Sequence, residues 1–381
     1  MLHHNPSQIA ALQRSATVHE QVQAHPQRFR VLTGDRPTGP LHLGHYLGTL
    51  ANRVRLQNLG VEMIVLIADY QVMTDRPAGG GRADGGLENT VRGVLADYLA
   101  AGIDPARATI FTHSAVPALN ELVLPFLSLV SDAELHRNPT VRSEADATGR
   151  PPTGLMLTYP VHQAADILFC HANLVPVGLD QLPHLETTRL VARRFNERYG
   201  DGENVFDEPD ALLTDTPMLA GLDGAKMSKT RGNGIALRAT EDETAATIRR
   251  APTDSERRIT YDPLSRPTVA TLLDILAAVT GGDPTGLAQE IGDGGAGRLK
   301  QRLTEAVNEL LRPLRQRRLA LAGDRSYLDD VLDQGNERAR GLAEDTLATV
   351  HGRLGMGYAN RRPTVVGVVA PLVPHSNTRS R

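Results

Sequence analysis

The 381-residue chain has one cysteine, Cys170, and no tryptophan. A single thiol excludes an internal disulfide framework and any zinc or iron–sulfur site built on several cysteines. No apolar run reaches the length needed to span a bilayer. The N-terminus lacks the apolar core of a signal peptide. The expectation is a cytoplasmic protein with no membrane segment. An excess of either charge is also lacking: the formal net charge is −3. That excludes a global basic field, so any nucleic-acid contact must use a local patch. No internal repeat is found. Hydrophobic residues make up 40% and charged residues 22%, an ordinary globular balance, and the length suffices for two domains.

The most informative stretch is Thr33-Gly-Asp-Arg-Pro-Thr-Gly-Pro-Leu-His-Leu-Gly-His-Tyr46. It follows a short apolar strand candidate, Phe29 to Leu32, and opens an amphipathic run from Tyr46 to Leu59. Strand, glycine-rich turn and helix is the layout that binds phosphates in α/β proteins. Gly34 and Gly39 suit a tight turn and a close backbone approach. His42 and His45 are three residues apart and share a face of the first helical turn. Two imidazoles there can donate to a polyphosphate drawn in by the helix dipole. The plainer alternative is a turn carrying a surface histidine pair.

Further along, Met63-Ile-Val-Leu-Ile-Ala-Asp69 fits a parallel strand buried on both faces. Asp69, Tyr70 and Gln71 then fall at its C-terminal end, where open α/β sheets place ligands. Ala108 to Thr112 is a third strand candidate. Strands alternate with helical runs, which predicts an α/β, doubly wound parallel sheet of Rossmann type. Glu121 to Val130 suits a core or dimer-interface helix, Arg137 to Val141 a turn, and Ser143 to Thr153 a flexible loop. Pro160 suits a first helical turn. In the helix that follows, Tyr159, Gln163 and Asp166 lie on one face. Asp166 precedes Ile, Leu and Phe, and a carboxylate there must be paired. Either an intrachain partner satisfies it, or the partner arrives with a ligand. Leu174 to Gln181 reads as a strand with Gly178, Asp180 and Gln181 at its end.

Gly221 to Gly234 holds Lys226-Met-Ser-Lys-Thr230 among four glycines. Lysine suits phosphate as a mobile point charge, and flanking glycines let a loop close and reopen. From Asp242 onward the pattern is helical. Arg298 to Arg318 carries seven basic residues against two acids, so it is either a solvated helix face or an RNA-backbone contact. The expected organisation is a flexible, disordered or loosely helical extension over 1–28, a Rossmann-type catalytic domain over 29–238, an all-helical domain over 239–358, and a disordered tail over 359–381.

Pro37-Thr-Gly39, His42-Leu-Gly-His45 and Lys226-Met-Ser-Lys-Thr230 together resemble the two hallmarks of class I aminoacyl-tRNA synthetases. Tyr159-Pro-x-x-Gln-Ala-Ala-Asp-Ile167, Val175-Pro-Val-Gly-x-Asp-Gln181 and Tyr261-Asp262 narrow the resemblance to the tryptophanyl-tRNA synthetases, over roughly residues 30 to 358. The resemblance implies ATP as substrate, Mg²⁺, L-tryptophan, tRNA(Trp) and a homodimer, with no metal ligated by the protein itself. It makes His42, His45, Lys226 and Lys229 catalytic. It implies ATP contacts from Arg36, Pro37, Thr38, Gly44, His45, Gly178, Leu179, Asp180, Leu219, Lys226, Met227, Ser228, Lys229 and Thr230. It implies tryptophan contacts from Gly34, Gln71, Tyr159, Gln163 and Asp166, the last accepting from the indole N–H. Helices 239–358 would bind the anticodon.

Arg36 replaces a family glutamine, and Thr230 replaces the usual serine but keeps the hydroxyl. Gln71 stands where bacterial members often have histidine, and Gln163 where many have methionine. Both make the amino-acid pocket more polar, which bears on inhibitor sensitivity rather than reaction type. The rival readings are a tyrosyl-tRNA synthetase, a small-molecule nucleotidylyltransferase sharing His-x-Gly-His, and a non-catalytic paralogue that binds tryptophan or RNA.

Overall fold

Five short strands form one all-parallel sheet: β1 (Arg30–Asp35), β2 (Glu62–Ile67), β3 (Ala108–Thr112), β4 (Leu174–Val177) and β5 (Asp210–Leu213), in the order β3-β2-β1-β4-β5. The computed structural model describes residues 6–74, 86–142, 151–213, 219–225, 227 and 232–356. The strand order reverses between β1 and β4, the switch point at which such sheets bind ligands. The helices used below are α1 (Pro6–Ala24), α2 (Ala51–Leu59), α3 (Gly86–Ala101), α4 (Gly154–Leu168), α5 (Leu182–Tyr199), α6 (Glu241–Arg250), α7 (Pro267–Thr280), α8 (Gly295–Ala322) and α9 (Arg325–Arg353).

Both faces of the sheet are covered, as the continuous apolar strands require. On β2, Met63, Val65 and Ile67 enter one hydrophobic cluster with α3, α7 and α8. Ile64 and Leu66 enter the other with α4 and α5. The doubly wound, Rossmann-type architecture is therefore present, followed by helices. One cluster runs without a break from Val31 and Val65 to Leu272 and Leu303, so the C-terminal helices share the sheet's core.

Terminal helices cover both sheet edges. An open edge strand offers unpaired backbone groups to other chains, so edges are commonly capped. Along β3, Asn336 Oδ1 accepts from Thr112 N–H at 3.0 Å, and Arg338 donates to Ala108 O at 3.3 Å. Gly335 makes this approach possible: a Cβ there would stand 1.8 Å from Ile110 O. Along β5, Ser15 Oγ accepts from Leu213 N–H at 2.8 Å, and Arg14 pairs with Asp210 at 2.7 Å. The N-terminal extension, expected to be disordered or loosely helical, is thus largely a docked helix, with Val18 and Val22 buried.

Other expectations shift for local reasons. α4 begins at Gly154, because Thr153 accepts from Met156 N–H at 3.2 Å as its cap. Pro160 therefore lies inside the helix rather than in its first turn. Asp132–Arg137 is helical, started by a capping box between Ser131 and Glu134, and residues 139–142 are helical again, so of the expected turn over Arg137 to Val141 only Asn138 breaks the helix. Residues 143–150 and 357–381 lie outside the described residues.

The basic segment on α8 is used internally. Lys300 donates to Ala251 O at 2.6 Å and to Arg249 O at 3.0 Å. Arg302 pairs with Glu290 at 2.6 Å and Arg312 with Glu309 at 2.5 Å. Arg315 donates to Thr244 at 2.6 Å, Arg317 to Ala100 O at 2.7 Å, and Arg318 pairs with Asp97 at 2.5 Å. Lys300, Arg315, Arg317 and Arg318 thus fasten α8 to α3 and α6, so the segment is neither wholly a solvated face nor wholly free for RNA.

Candidate active site

A cavity of about 740 Å³ opens at the C-terminal ends of β1 and β4. It brings together Gly34, Arg36, Thr38, His42, His45, Gln71, Tyr159, Gln163, Asp166, Gly178 and Met227, the first and last of which are 193 residues apart. The other expected residues fall differently. Pro37 is buried. Leu179 sits in the single turn Leu179–Gln181. Leu219 packs half-buried on the core. Lys226, Ser228, Lys229, Thr230 and the Asp180 side chain lie outside the described residues.

The histidine pair sits where the chain enters its helix. His42 N–H donates to His45 Nδ1 at 3.2 Å, and the rings are 3.7 Å apart. With Nδ1 accepting, the His45 proton resides on Nε2, which makes that atom a donor. The helix starts at Leu43–His45, passes through a π turn, Tyr46–Leu50, and continues as α2.

The segment carrying Met227 clasps this turn. Leu43 N–H donates to Ile235 O at 2.8 Å, and Leu237 N–H to Leu41 O at 2.9 Å. His42 and Ala236 form an antiparallel bridge. Gly44 leaves room for Met227: a Cβ at Gly44 would stand 3.0 Å from the Met227 sulfur. Ile235–Leu237, a few residues beyond the second motif, thus forms a backbone junction with the first, and Met227 packs against it.

Beneath the turn lies an ion pair that sequence reading missed. Arg53 donates to Asp35 Oδ2 at 2.6 Å and to Gly34 O at 3.2 Å, and Tyr98 donates to the same Asp35 oxygen at 2.7 Å. Burial alone would raise the Asp35 carboxyl. Arg53 beside it, with His45 nearby, outweighs burial and holds it well below the carboxylate range.

The amino-acid end is a buried polar network. Asp166 Oδ1 accepts from His113 Nε2 at 2.8 Å. Gln71 Nε2 lies 3.0 Å from His162 Nδ1, and His162 Nε2 lies 3.0 Å from Asn120 Oδ1. Asn120 in turn donates to His113 O at 2.9 Å. Tyr159 OH is 3.0 Å from His184 Nε2. Among the described residues, His113, His162 and Asp166 form a group close enough to hold a metal ion; here each is engaged by hydrogen bonds to the others or to Gln71 and Asn120. His113 was missed although it stands at the C-terminal end of β3, the kind of position that singled out Asp69 and Gln71 on β2.

This geometry has counterparts among known proteins. A family model described as tRNA synthetases class I (W and Y) matches residues 24–312. The tryptophan–tRNA ligase of Streptococcus pneumoniae serotype 4 is 40% identical over 349 residues, covering 87% of this chain and 98% of that one. The chain belongs to the tryptophanyl-tRNA synthetases. The ligase of Streptococcus mutans serotype c is also 40% identical, over 86% of this chain and 98% of its own. Among solved structures, the Campylobacter jejuni tryptophanyl-tRNA synthetase, complexed with ADP and tryptophan, superposes with a TM-score of 0.73 at 29% identity, over 86% of this chain and 99% of that one. A tyrosyl-tRNA synthetase from Archaeoglobus fulgidus is more distant, with a TM-score of 0.59 at 25% identity. The tyrosine reading is accordingly not favoured. Among the described residues no helix is long and apolar enough to cross a membrane.

Proposed function

We propose that the cavity binds L-tryptophan and ATP together and joins them as tryptophanyl-adenylate. The observation that carries this reading is the shared junction of the His42–His45 turn with the segment around Met227. It sets the phosphate-binding helix start against Met227 and Ile235–Leu237, which flank residues 228–231 of the lysine loop. A relative complexed with ADP and tryptophan supports the pairing of ligands.

The tryptophan carboxylate attacks the α-phosphorus in line and pyrophosphate leaves. No protein nucleophile is needed, so catalysis is positioning plus stabilisation of charge on the phosphoryl oxygens. His42 and His45 donate to those oxygens, with Gly44 allowing close approach, Arg36 and Thr38 forming the rim and the buried Pro37 fixing the turn between them. Gly178, Leu179, Asp180 and Leu219 hold the adenosine. Lys226, Met227, Ser228, Lys229 and Thr230 close on the departing pyrophosphate. Gly34, Gln71, Tyr159, Gln163 and Asp166 hold tryptophan, with Asp166 accepting from the indole N–H.

Mg²⁺ supplies further positive charge on the phosphates. Among the described residues the acids lining the cavity are Asp35 and Asp166. Asp35 is held by Arg53 and Tyr98, and Asp166 by His113. With both of these acids engaged, the ion would be held by the nucleotide's phosphates and water, as is usual for Mg²⁺.

The acyl group then passes to the 2′-hydroxyl of the terminal adenosine of tRNA(Trp). Helices within 239–358 recognise the anticodon, the working unit is a homodimer, and the compartment is the cytoplasm. Lys229→Ala tests the assignment. It should lower kcat for adenylate formation by roughly a hundredfold or more while leaving the tryptophan Kd nearly unchanged. Equal losses in both would remove Lys229 from the transition state.

A further inference from the structure

His113 is fully buried at the end of β3, and its two ring nitrogens face two different carboxylates. Nε2 is 2.8 Å from Asp166 Oδ1. Nδ1 has no hydrogen-bond partner and lies 4.0 Å from Asp69 Oδ1. Asp69 is itself pinned, accepting from the backbone N–H groups of Tyr70 at 3.0 Å and Ser114 at 3.2 Å and from the Ser114 hydroxyl. A neutral imidazole would leave a bare Nδ1 lone pair facing a carboxylate in a dry site, which is unfavourable. An imidazolium presents N–H to both acids.

The neighbouring ring is held in the opposite state. His162 stacks on His113 with centroids 4.4 Å apart. Its Nδ1 faces the Gln71 carboxamide nitrogen and its Nε2 faces the Asn120 carbonyl. A donor at one side and an acceptor at the other fix a single neutral tautomer. The remaining ring against His113 is Tyr70, 6.0 Å away. Asp69, Asp166, His162 and Tyr70 are thus the titratable groups facing His113. The Asp166 and Asp69 charges outweigh the burial that would otherwise lower the His113 pKa, and raise it. Burial is the larger influence on His162 and lowers it.

We propose that His113 is a positioning residue for amino-acid selection: it donates to Oδ1 of Asp166 and so holds that carboxylate in place to accept from a ligand in the cavity. The inference deepens the assignment of Asp166 to the indole N–H and rests on it.

The test is steady-state tryptophan-dependent pyrophosphate exchange on the full chain, comparing H113Q, H113N and D166N. Glutamine's carboxamide can reach Asp166 and donate; asparagine's, one methylene shorter, falls short. H113N should raise KM for tryptophan by roughly tenfold, with KM for ATP changed less than about twofold. H113Q should recover most of that loss. Equal KM values for tryptophan in H113N, H113Q and the unsubstituted protein, or equal losses for tryptophan and ATP, would overturn the role of His113. If D166N alone leaves KM for tryptophan unchanged, it is the underlying Asp166 assignment that fails.

Discussion

Arg318 Nε donates to Asp97 Oδ1 at 2.5 Å, joining the long helix α8 to a carboxylate buried in α3. The other Asp97 oxygen accepts from Leu41 N–H at 3.2 Å. Leu41 directly precedes His42, so a cation on a C-terminal helix is two hydrogen bonds from the phosphate turn. Burial raises the Asp97 carboxyl despite Arg318, which marks how much this acid depends on its partners.

Arg318→Met should therefore act in two places. Removing one partner of a buried pair costs about 3–5 kcal/mol, because the charge left behind is uncompensated. Thermal unfolding should record a lower Tm. Pyrophosphate exchange should record a lower kcat, as the turn loses its anchor, with little change in KM for tryptophan. An unchanged Tm would mean that the pair contributes nothing.

Gly335→Ala should be costly for a single methyl. Its Cβ would meet the backbone of β3 rather than a flexible side chain, so α9 must move off the sheet edge. Overpacking of this kind costs upward of about 2 kcal/mol. Amide hydrogen exchange should rise first at Thr112, whose N–H is bonded to Asn336. Native-like protection there in the variant would contradict the close packing of α9 on β3.

Acid stability should depend on Arg53. The folded-state pKa of Asp35 is depressed, so its contribution is present above the unfolded value, about 3.9, and is lost as pH falls through the folded value. Arg53→Met removes the group that depresses it. The acid-unfolding midpoint, followed by circular dichroism, should move to higher pH. A midpoint that stays put would mean that Asp35 is held by Tyr98 alone.

Much of this was legible in the sequence, and the gaps have physical causes. β2 and β3 were readable because strands buried on both faces are continuous apolar runs. β5 was missed: Asp210–Leu213 is four residues long and opens on an acid, too short to show a period. α1 was underestimated because its weak apolar stripe gains meaning only against the β5 edge. Capping signals at Ser131 and Thr153 were present but overlooked beside prolines and polar residues. The phosphate turn was readable because its chemistry is local, in residues three apart. Asp166 reads as a carboxylate that must be partnered, and of the two alternatives the structure supplies the intrachain one. His113 fills one oxygen, from 53 residues away, and the other lies toward the cavity. No local pattern marks such a pair. The α8 cations misled for the converse reason: sequence shows their charge but not the carbonyls and acids that absorb it.

The cavity is proposed above to activate tryptophan with ATP. Amino-acid-dependent ATP–pyrophosphate exchange on the purified full chain, with tryptophan and tyrosine measured in parallel, tests it most directly. Exchange with tryptophan and none with tyrosine is the predicted result. Exchange driven by tyrosine would keep the fold and the phosphate chemistry but contradict the roles given to Asp166 and His113. No exchange with either amino acid, from folded protein with Mg²⁺ present, would contradict the account as a whole.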